Sequence, residues 1–141
     1  MAAVRLTTGE CRVRLASAQR AVLASVTPTG APHAVPITLA VDGDVVVTAV
    51  DHKPKRSTDL QRLRNIRADP RVALLVDHYD ADWAALWWVR ADGTAEVVDS
   101  GAEHDAAVRL LAARYPSYVH RPPTGPVVRV LVDRWTGWAA S

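Results

Sequence analysis

Leu60, Leu63 and Ile66 fall three residues apart behind Ser57, and Ala106, Ala107, Leu110 and Leu111 share one face of segment 101–114. Both patterns carry the period of a helix buried along one side, and serine is a residue type that caps a helix start. Asp69-Pro70 ends the first of these helices. A shorter helix begins at Thr7 and Thr8, runs through Glu10 and reaches Ala18, with threonine as its cap. Between the helices lie short apolar runs of strand type: Ala21–Val26, 33–41, 45–50, 72–76, 86–91, 94–98 and 127–138. Pro28 and Gly30 punctuate the first two as a hairpin. Asp42-Gly43-Asp44 predicts a tight turn. The runs around Asp92-Gly93 form either one long bent strand or a hairpin. Within 33–41, Ala34, Val35, Ile37, Leu39 and Val41 are apolar, and Pro36 places the run at a sheet edge or bulge because proline cannot donate to a ladder. Four prolines (116, 122, 123, 126) mark a crossing to the last strand. Six or seven meandering strands with two or three helices predict a mainly β, antiparallel barrel or sandwich with helices at its ends.

At 141 residues the chain reads as one domain, large enough to bury roughly 68–70% of its unfolded surface. No apolar run approaches the ~20 residues of a membrane-spanning helix, and the Met-Ala-Ala-Val-Arg start lacks the apolar core of a signal peptide. The single cysteine, Cys11, makes no internal disulfide, which fits a reducing cytoplasm. It reads as structural.

Charge adds a feature that the pattern alone does not show. Fifteen arginines stand against two lysines, and both lysines lie in Lys53-Pro54-Lys55-Arg56. Segment 51–71 holds seven Lys/Arg and three Asp/Glu, whereas 77–105 holds eight acids and one base. Lysine binds phosphate as a point charge. The patch lies between a strand end and a helix start, whose unsatisfied N–H groups add partial positive charge. Ser57 or Thr58 would complete an anion site, and Arg64 would meet a further anion. The plainer alternative is a solvated basic turn and helix.

Other chemistries find little support. His33, His52, His78, His104 and His120 are scattered without ligand spacing. His78 with Asp77, Asp80 and Asp82 reads as a solvated acidic loop in preference to a cation site, so no metal is expected. The serines lack a nucleophile elbow, Cys11 lacks a base, and Asp80/Asp82 have nothing to separate their pKa values. No Gly-rich strand-to-helix turn of the dinucleotide or P-loop kind occurs.

A family resemblance runs along nearly the whole chain. Its residues are Gly30-x-Pro32-His33-x-Val35-Pro36, then Lys53-x-Lys55-Arg56, then Asn65-Ile66-Arg67-Ala68-Asp69-Pro70-Arg71-Val72-Ala73-Leu74-Leu75-Val76, then Trp87-Trp88-Val89-Arg90-Ala91-Asp92-Gly93-Thr94-Ala95. In this order they resemble the split β-barrel flavin- and deazaflavin-binding proteins related to pyridoxamine 5′-phosphate oxidase. Within these the chain is most similar to the subgroup of coenzyme F420-dependent oxidoreductases. The most specific stretch is 65–76.

The resemblance implies a split-barrel homodimer with two cofactor sites at the subunit interface. It implies that the ring system lies against 33–37, with His33, Val35 and Pro36, and against the strand end Thr48, Ala49 and Val50. The phosphate would rest on Lys53, Lys55 and Arg56 with Ser57. Aromatic residues of the partner subunit would come from Tyr79, Trp83, Trp87 and Trp88. The same positions also suit core or interface packing. The C-terminal extension of vitamin B6 oxidases is not matched, which counts against that substrate. The implied reaction is hydride transfer between reduced F420 and a conjugated C=C or C=N bond, with solvent, His33, His52 or Tyr79 as proton donor. FMN is the alternative cofactor, in an oxidoreductase or in a flavin- or haem-binding protein without turnover. A nucleic-acid-binding barrel is the reading from a different class, but the stacking aromatics it needs lie in the acidic half. Neither nucleic acid nor membrane is expected as a partner.

Overall fold

The computed structural model describes residues 2–50 and 60–141. Its strands are β1 (Ala3–Arg5), β2 (Ala21–Val26), β3 (Pro32–Ile37), β4 (Ala40–Asp42), β5 (Val45–Ala49), β6 (Arg71–His78), β7 (Trp87–Val98) and β8 (Val127–Ala140). Among the described residues four α-helices accompany them: α1 (Thr8–Ser17), α2 (Gln61–Ala68), α3 (Ala102–Arg114) and α4 (Pro116–His120). A 3₁₀ turn covers Trp83–Ala85. All strand pairs are antiparallel, in the order β3-β2-β6-β7-β8-β5-β4, with β1 added to β8.

That order requires the sheet to close. β3 and β4 stand at its opposite ends, yet only Thr38 and Leu39 separate them in sequence. Three peptide steps span at most about 11 Å, so the two edges meet and the sheet rolls into a barrel. The seam is clasped from outside. Arg114 at the end of α3 donates from Nη1 to the Leu39 carbonyl at 2.6 Å and from Nη2 to the Ala18 carbonyl at 2.8 Å. The Leu39 N–H donates to Tyr115 Oη at 3.1 Å, and Tyr118 Oη lies 3.0 Å from Thr38 Oγ1.

This seam corrects one sequence expectation. The run 33–41 is two strands that pair with different neighbours, because the chain leaves β2 at Ile37 and joins β5 at Ala40. Its apolar residues remain continuous because both halves line the same interior. Pro36 does lie on an end strand, opposite Val22. The runs flanking Asp92-Gly93 are one strand, β7, with a bulge at Asp92/Gly93 against β8. β1, the Trp83–Ala85 turn and α4 carry no pattern strong enough to be read in advance.

The interior is filled by alternate residues: Leu23 from β2, Leu74 from β6, Val89 and Ala91 from β7, Val130 from β8 and Val46 from β5. α1 and α2 complete this core toward opposite ends of β7. α1 starts with a capping box, in which Glu10 N–H donates to Thr7 Oγ1 and Thr7 N–H to Glu10 Oε1. It sends Cys11 and Leu15, both fully buried, into the core. Gly137 permits this approach, since a Cβ there would lie 2.8 Å from Cys11 Sγ. α2 contributes Leu63 and Ile66 at the other end, where Ala95 N–H donates to the Pro70 carbonyl at 2.8 Å. A second apolar cluster lies outside the barrel, where Ala107, Leu111 and Tyr118 cover Val47 and Ala49.

Among the described residues, no helix is long and apolar enough to cross a membrane.

Candidate functional site

The register lays out one outer face residue by residue. Pro36, Val22, Leu75 and Arg90 stand side by side across β3, β2, β6 and β7. In the next row Asp77, Trp88 and Trp138 stand across β6, β7 and β8. Strand alternation that buries Leu23, Leu74 and Val89 forces these partners outward. The result is an apolar surface left in water: Leu75 is 43% exposed, Val22 38% and Trp138 37%. Contiguous apolar exposure of this kind marks an interaction or ligand surface.

Two grooves open on this face and share a wall made by Leu75, Asp77, His78 and Trp87. The first, of about 530 Å³, runs between α1 and the sheet and is flanked by Arg14, Arg20, Val22 and Pro36. The second, of about 670 Å³, is aromatic, with Tyr79, Trp83, Trp88 and Trp138 around it and Arg90 at one side. The shared wall is ordered by pairing. His78 and Trp87 are opposite each other in the β6–β7 ladder, and their rings stack at 6.1 Å with 19° between planes. The Arg14 guanidinium carbon lies 4.8 Å from the Trp87 ring centroid, a cation–π contact.

The acidic loop that joins β6 to β7 uses its carboxylates on its own backbone. Asp80 Oδ1 accepts from Asp82 N–H at 2.8 Å, and Asp82 Oδ1 accepts from Ala84 N–H at 3.0 Å. These turns hold Trp83, 59% exposed, at the rim of the aromatic groove.

The candidate residues divide among three places. Pro36 faces the α1 groove, and Tyr79 and Trp88 face the aromatic groove. His33 and Val35 lie on the other side of β3, opposite Ser25 and Leu23. Thr48 and Val50 are buried, and Ala49 packs outward beneath α3. Lys53, Lys55, Arg56 and Ser57 lie outside the described residues, as do His52 and Thr58. The structure thus brings Pro36, Tyr79 and Trp88 to one face, and sets His33, Val35, Thr48, Ala49 and Val50 apart from it.

The polar interior near α2 is organised around Asn65, which is fully buried. Its Nδ2 donates to Ser25 Oγ at 3.0 Å and its Oδ1 accepts from Gln61 Nε2 at 2.7 Å. Among the described residues, His33, opposite Ser25, has a buried Nδ1 without a partner, and so does Thr48 at Oγ1. Cys11 is sealed in the core, and burial pushes its thiol pKa up. A neutral buried thiol is inert, so the cysteine is structural as expected.

Sequence reading missed Arg14, Arg20, His78 and Trp138 as groove residues. Arg14 lies one turn after Glu10 on a helix whose other face is buried, and nothing local points it at a tryptophan 73 positions away. The five tryptophans without a phenylalanine were the one compositional signal for Trp138.

Known proteins share this fold. The family model for pyridoxamine 5′-phosphate oxidase matches residues 7–139. No curated protein matches the chain. A FAD-binding protein from Mesorhizobium loti shares the fold with a TM-score of 0.77 at 23% identity, covering 100% of both chains. A conserved hypothetical protein from Mycobacterium tuberculosis superposes with a TM-score of 0.78 at 22% identity, over 95% of this chain and 85% of that one. A FAD-binding protein from Mycobacterium smegmatis gives 0.69 at 20% identity, over 97% and 98%. At these identities the structures speak for the split-barrel fold, and the family model speaks for descent. The chain belongs to the pyridoxamine 5′-phosphate oxidase family.

Proposed function

We propose that this protein is a homodimeric oxidoreductase that binds the deazaflavin coenzyme F420 and carries out hydride transfer to a conjugated C=C or C=N bond of a small organic substrate. The observation that carries the reading is the aromatic groove on the outer sheet face, flanked by Tyr79, Trp83, Trp88 and Trp138. Flat aromatic walls with a few polar groups suit a planar ring system, and the groove lies in a chain of the pyridoxamine 5′-phosphate oxidase family.

Reduced F420, when bound, supplies two electrons as a hydride. This chain's own work is binding, orientation and proton supply. Lys53, Lys55 and Arg56, with Ser57, would hold the phosphate through charge-assisted contacts. Tyr79 and Trp88 would flank the ring, and Pro36 stands in the adjoining α1 groove. Tyr79, 73% exposed at the groove rim, is a candidate to deliver the proton, alongside His52 and solvent, whereas His33 lies on the opposite side of β3. The exposed Leu75, Trp83 and Trp138 supply the apolar surface for a second copy, which would bury them and complete the site from the other subunit.

A flavin reading is favoured by the two FAD-binding proteins among the structural relatives. One experiment separates it from F420. The purified dimer is titrated with F420, FMN and FAD, following fluorescence and visible absorbance. Saturable F420 binding with weaker flavin binding supports the proposal. Tight FMN or FAD binding without F420 binding overturns it in favour of the flavin protein. Sedimentation at micromolar concentration reads the dimer separately, and a monomer there overturns the shared-site arrangement.

A further inference from the structure

The α1 groove has two walls of different chemistry. The sheet wall is apolar: Val22, Pro36 and Leu75, ending at the Trp87 ring. The helix wall carries Arg14 and, past the end of α1, Gln19 and Arg20. Arg12, Arg71, Arg90 and Arg129 each reach a carboxylate within 4.0 Å, and Arg67 does so at that distance. Among the described residues, Arg14 and Arg20 have no such partner. Arg14 is nevertheless fixed in place, over the Trp87 ring at 4.8 Å. The acid nearest to it on α1, Glu10, is turned to the Thr7 N–H at 2.9 Å.

The C-terminal end of a helix ordinarily repels an anion through its unsatisfied carbonyls. Here several carbonyls at and just past that end already have donors. Val13 O accepts from Ser17 Oγ at 2.8 Å, Leu15 O from Ala18 N–H at 3.2 Å, and Ala18 O from Arg114 at 2.8 Å. Gln19 O accepts from Tyr115 Oη at 3.2 Å. The one acid on the groove wall, Asp77, stands at the side shared with the aromatic groove. Two guanidinium groups that make no salt bridge among the described residues therefore face an apolar slot of about 530 Å³.

We propose that this groove is the substrate site and that it takes a small conjugated or aromatic carboxylate. The carboxylate sits on Arg14 and Arg20, and the apolar body lies along Val22, Pro36, Leu75 and the Trp87 edge. The shared wall then sets the body against the aromatic groove where the ring of the cofactor is proposed to lie. The role as substrate rests on the proposed oxidoreductase function. Binding of the ligand class does not, since it needs only this chain's residues.

The test uses the full-length protein without added cofactor, with trans-cinnamate as the probe and its neutral amide as the control, in NMR or calorimetric titrations. Cinnamate should bind saturably, and the amide about tenfold or more weakly, because it forgoes the charge-assisted contacts. Arg14→Gln and Arg20→Gln should each raise the cinnamate Kd about tenfold and leave the Kd for the amide nearly unchanged. Their unfolding curves show whether each variant is folded, and Arg14→Lys should restore part of the affinity. Equal affinity for acid and amide, no saturable cinnamate binding, or undiminished binding in both folded Gln variants overturns the proposal. A protein that binds cinnamate through these arginines but binds no F420 keeps the groove assignment and loses the proposed reaction.

Discussion

Arg114 Nη1 donates to the Leu39 carbonyl at 2.6 Å across 75 residues of sequence, and so pins the end of α3 to the seam of the barrel. The second bond from the same guanidinium, to Ala18 O, ties the exit of α1 to the same point. Hydrogen bonds from a charged donor contribute roughly 1.5–3 kcal/mol, and removing the donor leaves carbonyls unsatisfied. Arg114→Met should lower the stability by about 2–4 kcal/mol in urea unfolding, and Arg114→Lys, which reaches one carbonyl at a time, by less. Equal stability of Met variant and parent would show that the seam closes without this clasp.

Gly93 meets the β8 backbone at the bulge, where a Cβ would lie 2.2 Å from the Leu131 carbonyl oxygen. A backbone atom cannot swing aside as a side-chain tip can. Gly93→Ala should destabilise the protein by about 3 kcal/mol or more, with broadened NMR resonances along β7 and β8. Gly9→Ala, at an α1 position where a Cβ meets nothing within 4 Å, serves as the control and should be neutral or slightly stabilising.

Asp69 is held by Arg71, whose guanidinium and backbone N–H both donate to it, and its pKa falls from 3.8 to about 2. A depressed carboxylate stabilises the fold above its unfolded pKa and loses that contribution as pH drops through the folded value. Asp69→Asn should therefore be less stable than the parent at pH 7 and at pH 5, and the gap should shrink between pH 4 and pH 2. A gap independent of pH would assign the effect to the Asp69-Pro70 helix stop instead of the ion pair.

Lys53→Ala and Lys55→Ala each remove one charged contact from the proposed phosphate site. Each should weaken F420 binding by about 1–3 kcal/mol, a loss that deepens at low salt and leaves the melting temperature within error. Normal binding in both variants would move the phosphate elsewhere.

The sequence was most legible where one local rule decided the outcome. Thr7 and Glu10 announced α1, Asp69-Pro70 ended α2, and Pro36 placed its strand at the sheet's end. Alternation told which side of a strand is buried, but not which strand lies beside it. That is why 33–41 read as one strand although Ile37 and Ala40 pair with different neighbours. The site was less legible for the same reason. Arg14 over Trp87 and Trp88 opposite Trp138 are products of helix docking and strand register, and no window of neighbouring residues contains both partners. The resemblance named Pro36, Tyr79 and Trp88, which the fold brings to one face, together with His33, Val35, Thr48, Ala49 and Val50, which it does not, and it carried no information about the helix wall of the first groove.

β8 pairs with β7, β5 and β1, so the strand nearest the C-terminus is the one that unites the sheet. Before residues 127–140 emerge during synthesis, β3-β2-β6-β7 and β4-β5 are separate patches with no ladder between them. Nearly the whole chain must wait, with its apolar faces uncovered, for the last strand to arrive. Such long-range pairing is slow and exposes unfinished edges to neighbouring chains. Early termination anywhere upstream of Val127 would release an aggregation-prone fragment instead of a smaller folded barrel.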